Sequence, residues 1–218
     1  MKSLVTILSA IALTSCITIV GTTKFSEAPV EERTLTINTD VTAIAASSDA
    51  EIIVDATLPA NEIRVKTHTD IFDILEITSD NQTLEVGLRE HTLRAKTFEV
   101  RIPILAYNSI AVSGGADIEW HDCRAEMLTI AASGGADIDI EGQCGDIILS
   151  ISGGADADLD DLMAMNVEVS ASGGADVAVH ATKSLTVNAS GGADVSYCGN
   201  PESKDINRSG GADVYRAD

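Results

Sequence analysis

Six carboxylates in this chain stand where their spacing could make them work together: Asp117, Glu119, Asp137, Asp139, Asp156 and Asp158. They come as three Asp/Glu-x-Asp/Glu pairs, and successive pairs are 20 and 19 residues apart. Stacked one strand spacing apart, about 4.8 Å, they would form a double column of oxygens, a donor set suited to a hard cation such as Ca²⁺. The nonapeptide calcium repeat, with its Gly-Gly-x-Gly-x-Asp spacing, is absent. Solvated turn aspartates that accept backbone N–H bonds are the plainer use of the same residues. Other chemistry is sparse. His68, His91, His121 and His180 share no metal spacing, and no Ser/His/Asp arrangement is recognisable. Cys123 and Cys144 follow equivalent serines by 10 and 11 residues, which places them in adjacent coils within disulfide reach, while Cys198 should stay a free thiol.

Cys16 carries a different chemistry. Lys2, the apolar run from Leu4 to Leu13 and the sequence Leu13-Thr14-Ser15-Cys16 resemble the lipobox of bacterial lipoprotein precursors. That resemblance implies removal of residues 1–15, a diacylglycerol on the Cys16 sulfur and, because Ile17 rather than Asp follows, sorting to the outer membrane. Residues 16–31 then read as the lipidated cysteine and a tether.

The elements that position the carboxylates are announced by a word, Ser-Gly-Gly-Ala-Asp, said six times. Its serines are Ser113, Ser133, Ser152, Ser172, Ser190 and Ser209, at spacings of 20, 19, 20, 18 and 19 residues. A near-constant period of this length marks a solenoid. Three residues before each serine stand Ile110, Ile130, Leu149, Val169, Val187 and Ile206, and just past each Asp stand Ile118, Ile138, Ala157, Val177, Val195 and Val214. Apolar and polar positions alternate around them, so each coil carries two short strands with one face in the core. The glycine pairs Gly114-Gly115, Gly134-Gly135, Gly153-Gly154, Gly173-Gly174, Gly191-Gly192 and Gly210-Gly211 make the corners, where a missing Cβ permits positive φ. An all-β parallel β-helix with coils of 18 to 20 residues follows for residues 107–218. An antiparallel sandwich would turn every 8 to 12 residues and has no reason to repeat one corner. In the last coil Arg208 and Arg216 fall at inward positions and should blunt the exposed edge.

Residues 32–106 form a β-rich capping region. "IAASSDAEIIV", from Ile44, aligns with "IAASGGADIDI", from Ile130, as a degenerate first coil with Ser47, Ala50, Glu51 and Ile52 in the Ser, Ala, Asp and Ile places. "EITSDNQTLEVGL" reads as a hairpin around Asp80-Asn81, and "TFEVRIPIL" puts Phe98, Val100, Ile102 and Ile104 on one face.

With the lipoprotein start, "TFEVRIPILAYNSIAVSGGADIEW" and the recurring corners, residues 35 to 218 resemble the bacterial envelope family labelled "putative auto-transporter adhesin, head GIN domain". The resemblance implies a right-handed β-helix at the periplasm or cell surface, and brings no catalytic residues with it.

Composition narrows the function classes. Thirty-four acidic against 14 basic side chains give a net charge of −20, which disfavours nucleic acid and anionic lipid head groups and favours cations or basic surfaces. Parallel β-helices include polysaccharide lyases and hydrolases, but those need long loops around a cleft and aromatic sugar platforms; the tight period leaves no room for such loops, and Trp120 falls inward. The reading is a non-catalytic envelope lipoprotein that binds, adheres or scaffolds, with a lipid anchor in the membrane and a protein or glycan partner. The alternative is a polysaccharide-active β-helix enzyme, which product release from acidic glycans would reveal.

Overall fold

A computed structural model describes residues 24–90 and 92–217. Cys16 and the proposed signal segment lie outside the described residues. In chain order the strands are β1 Lys24–Phe25, β2 Val30–Thr36, β3 Ala43–Ala46, β4 Glu51–Asp55, β5 Glu62–His68, β6 Leu75–Asp80, β7 Thr83–Leu88, β8 Leu93–Arg94 and β9 Phe98–Pro103. Then follow β10 Ser109–Ser113, β11 Asp117–Ser133, β12 Asp137–Ile151, β13 Asp156–Ala171, β14 Asp176–Ala189, β15 Asp194–Cys198, β16 Ser203–Arg208 and β17 Asp213–Arg216. No helix occurs among the described residues.

The repeat stacks in register. Ile110 pairs with Ile130, Ile130 with Leu149, Leu149 with Val169, Val169 with Val187 and Val187 with Ile206, all in parallel. On the other side of the corner Ile118, Ile138, Ala157, Val177, Val195 and Val214 form a second ladder. Because each inward side chain sits on its equivalent in the next coil, the interior is one continuous apolar column; Ile130, Val169, Val187 and Val195 have no solvent exposure. The chain is an all-β parallel solenoid with coils of about 20 residues. Strand hydrogen bonding also runs further than two short strands per coil: β11 to β14 are each single strands of 14 to 17 residues from one glycine corner to the next. The in/out alternation of β11 breaks at His121-Asp122 and again at Glu126-Met127. These breaks act as bends, and a register shift between Trp120 and Cys123 marks the first of them.

The N-terminal region holds the expected degenerate coil and a second one out of sequence order. Ile44 stacks on Ile110 and Ile52 on Ile118, so β3 and β4 lie directly before β10 and β11. Beyond them sits a coil made of later residues: Leu84 pairs with Ile44, and Val100 with Ile52. The chain thus builds its inner coil first, leaves through β5 and β6, lays β7 and β9 on the outside, and returns past Tyr107 to β10. The Tyr107 hydroxyl donates to the Pro103 carbonyl at 2.9 Å, and its ring meets Trp120 edge-on at 5.9 Å. Strand β2 runs antiparallel to β5, β5 to β9, and β6 to β7, covering that end of the stack. The β6–β7 turn is the expected hairpin, with Asn81 and Gln82 both at positive φ.

Two expectations change here. Ile104 is 42% exposed, because β9 ends at Pro103 and the strand phase is lost. Residues 24–31 are docked rather than a free tether: β1 pairs with β8, and the buried Ser26 donates to Asp70 Oδ1 at 2.6 Å.

Candidate functional site

Each corner is built from two glycines with different tasks. The first takes φ near +80°, as in Gly114, Gly134, Gly153 and Gly173. The N–H of the second donates to the first glycine's carbonyl in the preceding coil, from Gly154 to Gly134 at 2.8 Å and from Gly174 to Gly153 at 2.7 Å. Hydrogen bonding therefore continues around the bend, and the following Asp N–H carries it on, from Asp156 to the Ala136 carbonyl. In the degenerate coil Ser48 and Asp49 hold positive φ without glycine.

This corner fixes the motif aspartates in a line. Asp137, Asp156, Asp176, Asp194 and Asp213 pair in succession. The line extends toward the N-terminus through Asp117 to Glu51 and Glu99. Glu119, Asp139 and Asp158 stack beside it as expected, and the second column then passes to Ala178, Ser196 and Tyr215. Charges about 4.8 Å apart repel by roughly 0.9 kcal/mol in water and about four times that at an effective dielectric near 20. Arg and Lys answer it at the cap end: Arg101 donates to Glu99 at 2.6 Å and reaches Asp55 at 3.4 Å, with Lys66 3.8 Å from Glu99. Asp117 accepts the Asp137 backbone N–H at 3.2 Å. Burial and then the neighbouring Glu99, Glu119 and Asp117 charges raise the Glu51 pKa. Burial, followed by Asp158 and Glu141, raises that of Asp139.

His121 was not singled out by the sequence. Its Nε2 lies 3.2 Å from Glu119 and its Nδ1 3.2 Å from Glu141 of the next coil. Burial opposes its charge, but the hydrogen bonds and charges of Glu141 and Glu119 outweigh it and raise the imidazole pKa. His121 and Glu141 each lie eight residues past a motif serine, so aligning the coils one position further would have found the pair.

The six proposed calcium ligands lie on this face, but they do not converge. Among the described residues no group of three or more His, Cys, Asp or Glu side chains could hold a metal ion. Strand geometry is the reason: neighbours in a flat column point the same way, whereas a cation needs oxygens that point inward on one spot.

The two cysteines meet differently from the expectation. Both are buried free thiols. The shift after Trp120 pairs Cys123 with Gly142 and Ala125 with Cys144. A two-residue offset of about 6.6 Å along the strand, combined with one strand spacing, separates the Cα atoms by about 8 Å, beyond disulfide range. Burial pushes the Cys123 thiol up to about 12, with Cys144 adding to it. Gly142, outside the repeated word, is needed here: a Cβ on it would lie far inside van der Waals contact with the Cys123 backbone, and its φ is +133°. Trp120 is inward and 2% exposed, so it offers no sugar platform.

A stacked β-solenoid with glycine corners and one acidic face defines an all-β repeat module. The chain belongs to the family described as "Putative auto-transporter adhesin, head GIN domain", which matches residues 40–201. A protein described as a putative adhesin from Bacteroides fragilis is similar in structure, with TM-score 0.70 and 18% identity over 89% of this chain and 99% of that one. A putative lipid binding protein and a putative adhesin, both from Parabacteroides distasonis, follow. The first has TM-score 0.53 and 16% identity over 89% of this chain and 100% of its own, the second 0.54 and 15% over 88% and 99%. No curated protein matches the sequence.

Proposed function

We propose that this chain is a non-catalytic binding or adhesion module of the bacterial cell envelope, anchored by a lipid on Cys16 and presenting its solenoid faces to a protein or glycan. The observation that carries this reading is the in-register outer surface. Equivalent side chains repeat from coil to coil over β10 to β17, giving long regular faces suited to docking a macromolecule. Family membership and the names of the structural neighbours support the same class.

The net charge favours a partner with basic groups. Crosslinking in the native cell followed by identification of the bound species tests the binding role; recovery of the same partner after charge reversal of Asp156, Asp176 and Asp194 would remove the acidic face from the reading. Cys16→Ser should leave a soluble or uncleaved protein, and unchanged detergent partitioning would overturn the lipid anchor.

A further inference from the structure

The cap end of the solenoid carries a surface unlike the rest. The outermost coil, β7 and β9, has its corner expanded into the segment from Arg89 to Thr97, and β1 docks on β8 within it. There Lys24, Phe25, Glu27, Asp70, Leu93 and Lys96 line one shallow depression. Phe25 is 53% exposed, an aromatic ring that core packing does not explain. Arg94 lies 5.6 Å from the Phe25 ring and is neutralised by Asp49 at 2.6 Å. Asp70 is engaged by Ser26 at 2.6 Å, so Lys24 and Lys96 face Glu27 and this bonded carboxylate. The local charge is balanced. That balance is local: residues 24–106 as a whole carry 15 acidic against 8 basic side chains, and residues 107–218 carry 19 against 5.

We infer that this end is a membrane-contact face: Phe25 enters the headgroup region of the bilayer, Lys24 and Lys96 meet lipid phosphates, and the solenoid stands with its acidic coils away from the surface. The inference rests on the proposed Cys16 anchor, and the chain length fits it. From Cys16 to Lys24 the backbone spans at most roughly 29 Å, so an anchored lipid holds the Phe25 end within reach of the bilayer. Aromatic rings with flanking cations favour the interface, where ring and charge are both satisfied. A net negative protein is repelled by an anionic leaflet over about a Debye length, and the charge-balanced depression is the part of it that can approach. From β9 to β17 the stack advances by seven strand spacings, about 34 Å, so Tyr215 stays clear of the lipid in this orientation.

The test uses the full lipidated chain in vesicles of phosphatidylethanolamine and phosphatidylglycerol, with acyl chains brominated near the headgroup. Trp120 is buried, so wild type gives the background. Phe25→Trp should show blue-shifted emission and several-fold stronger bromine quenching than Tyr215→Trp, and Lys24→Glu with Lys96→Glu should reduce that quenching severalfold. Three results would overturn the inference: an unquenched Phe25→Trp probe in anchored protein, equal quenching of both probes, or a blue shift that follows protein concentration without lipid, which would mean a second copy covers the face. Failure of the anchor itself shows separately, as loss of vesicle flotation. In that case coupling the Cys16 thiol to a maleimide lipid, in a Cys198→Ser background, restores the tether, and the same fluorescence comparison then decides the face.

Discussion

The corner makes a sharp distinction between two adjacent glycines. At Gly153 the backbone sits at φ +83°, and an added Cβ would lie 2.9 Å from the Gly134 carbonyl oxygen and 3.0 Å from its nitrogen. Gly153→Ala therefore incurs the left-handed penalty of an L-residue, about 1–2 kcal/mol. It must also push the preceding coil back by a few tenths of an ångström. That displacement loosens the Gly154 to Gly134 hydrogen bond, worth about another 1 kcal/mol. The total is about 2–3 kcal/mol. At Gly154 the left-handed requirement is gone and the nearest atom to an added Cβ is 3.8 Å away, ordinary contact. Gly154→Ala should be neutral or stabilise slightly, by about 0.4–1 kcal/mol, because alanine restricts the unfolded chain. In urea titrations with a slope near 2 kcal/mol per molar, Gly153→Ala should lower the midpoint by about 1–1.5 M and Gly154→Ala should leave it or raise it. Equal losses from both substitutions would refute the assignment of the conformational demand to the first glycine alone.

Three further expectations concern the core, the acidic face and the thiols. Val169→Lys buries an unpaired charge at a position with no solvent exposure and should cost about 3 kcal/mol or more, whereas Ser150→Lys, on the exposed face, should cost under about 0.5 kcal/mol; chemical denaturation separates them. The pH dependence should run opposite to ordinary acid denaturation at first. Glu51, Asp117, Asp139 and Asp160 have raised pKa values, so the folded state holds their protons more tightly than the unfolded chain; that contribution is complete below the unfolded values of 3.8 to 4.5 and is lost as pH rises through the folded ones. Asp55, lowered by its Thr57 hydrogen bonds, works the other way. The melting temperature should then climb as pH falls below 7, first as His121 takes its proton and further down as these carboxylates take theirs, and a steady fall instead would show that repulsion does not govern the face. Alkylation of the native protein at pH 8 should modify the half-buried Cys198 and spare Cys123 and Cys144, while rapid labelling of Cys123 would contradict its burial.

The parts of the fold that could be read in the chain are those in which local pattern and long-range partner coincide. Ile44 and Ile52 were recognisable because the Ser47 to Glu51 corner still resembles the repeated word, and the stack places them where the alignment did. The β6–β7 turn carries its own signal in Asn81, which tolerates positive φ, though the bend falls one residue later than the sequence suggests, on Asn81-Gln82. Leu84 and Val100 alternate just as clearly, yet their coil was not legible, because the Arg89 to Thr97 excursion replaces the corner that would have named it. A period-two strand says which side faces the core and nothing about which neighbour it stacks on. The cysteine offset failed for the same reason: counting residues from the serine assumes uniform coils, and the shift after Trp120 breaks that count. The carboxylate columns were legible in position but not in use, since spacing gives the line and only the strand pleat tells that its members point in parallel.

The two ends of the stack solve one problem by different means, and the difference bears on how the module is presented. An open coil offers unpaired backbone groups and apolar inward positions, a template for aggregation. At the N-terminal end β2, β5 and β6 lie antiparallel over the outermost coil and cover it with chain. At the other end no strand follows β16 and β17 among the described residues; Arg208 stands over Ala189 and Arg216 over Tyr197, so charge occupies the places that apolar side chains fill in every coil before. Lys204, over Leu185, adds a third, its ammonium 5.8 Å from the Tyr197 ring. A covered end can press against another surface without exchanging strands with it, while a charged end must stay in water. In the orientation proposed above, the same asymmetry that protects the solenoid from its own edges sets the covered cap at the bilayer and leaves the charged last coil in water.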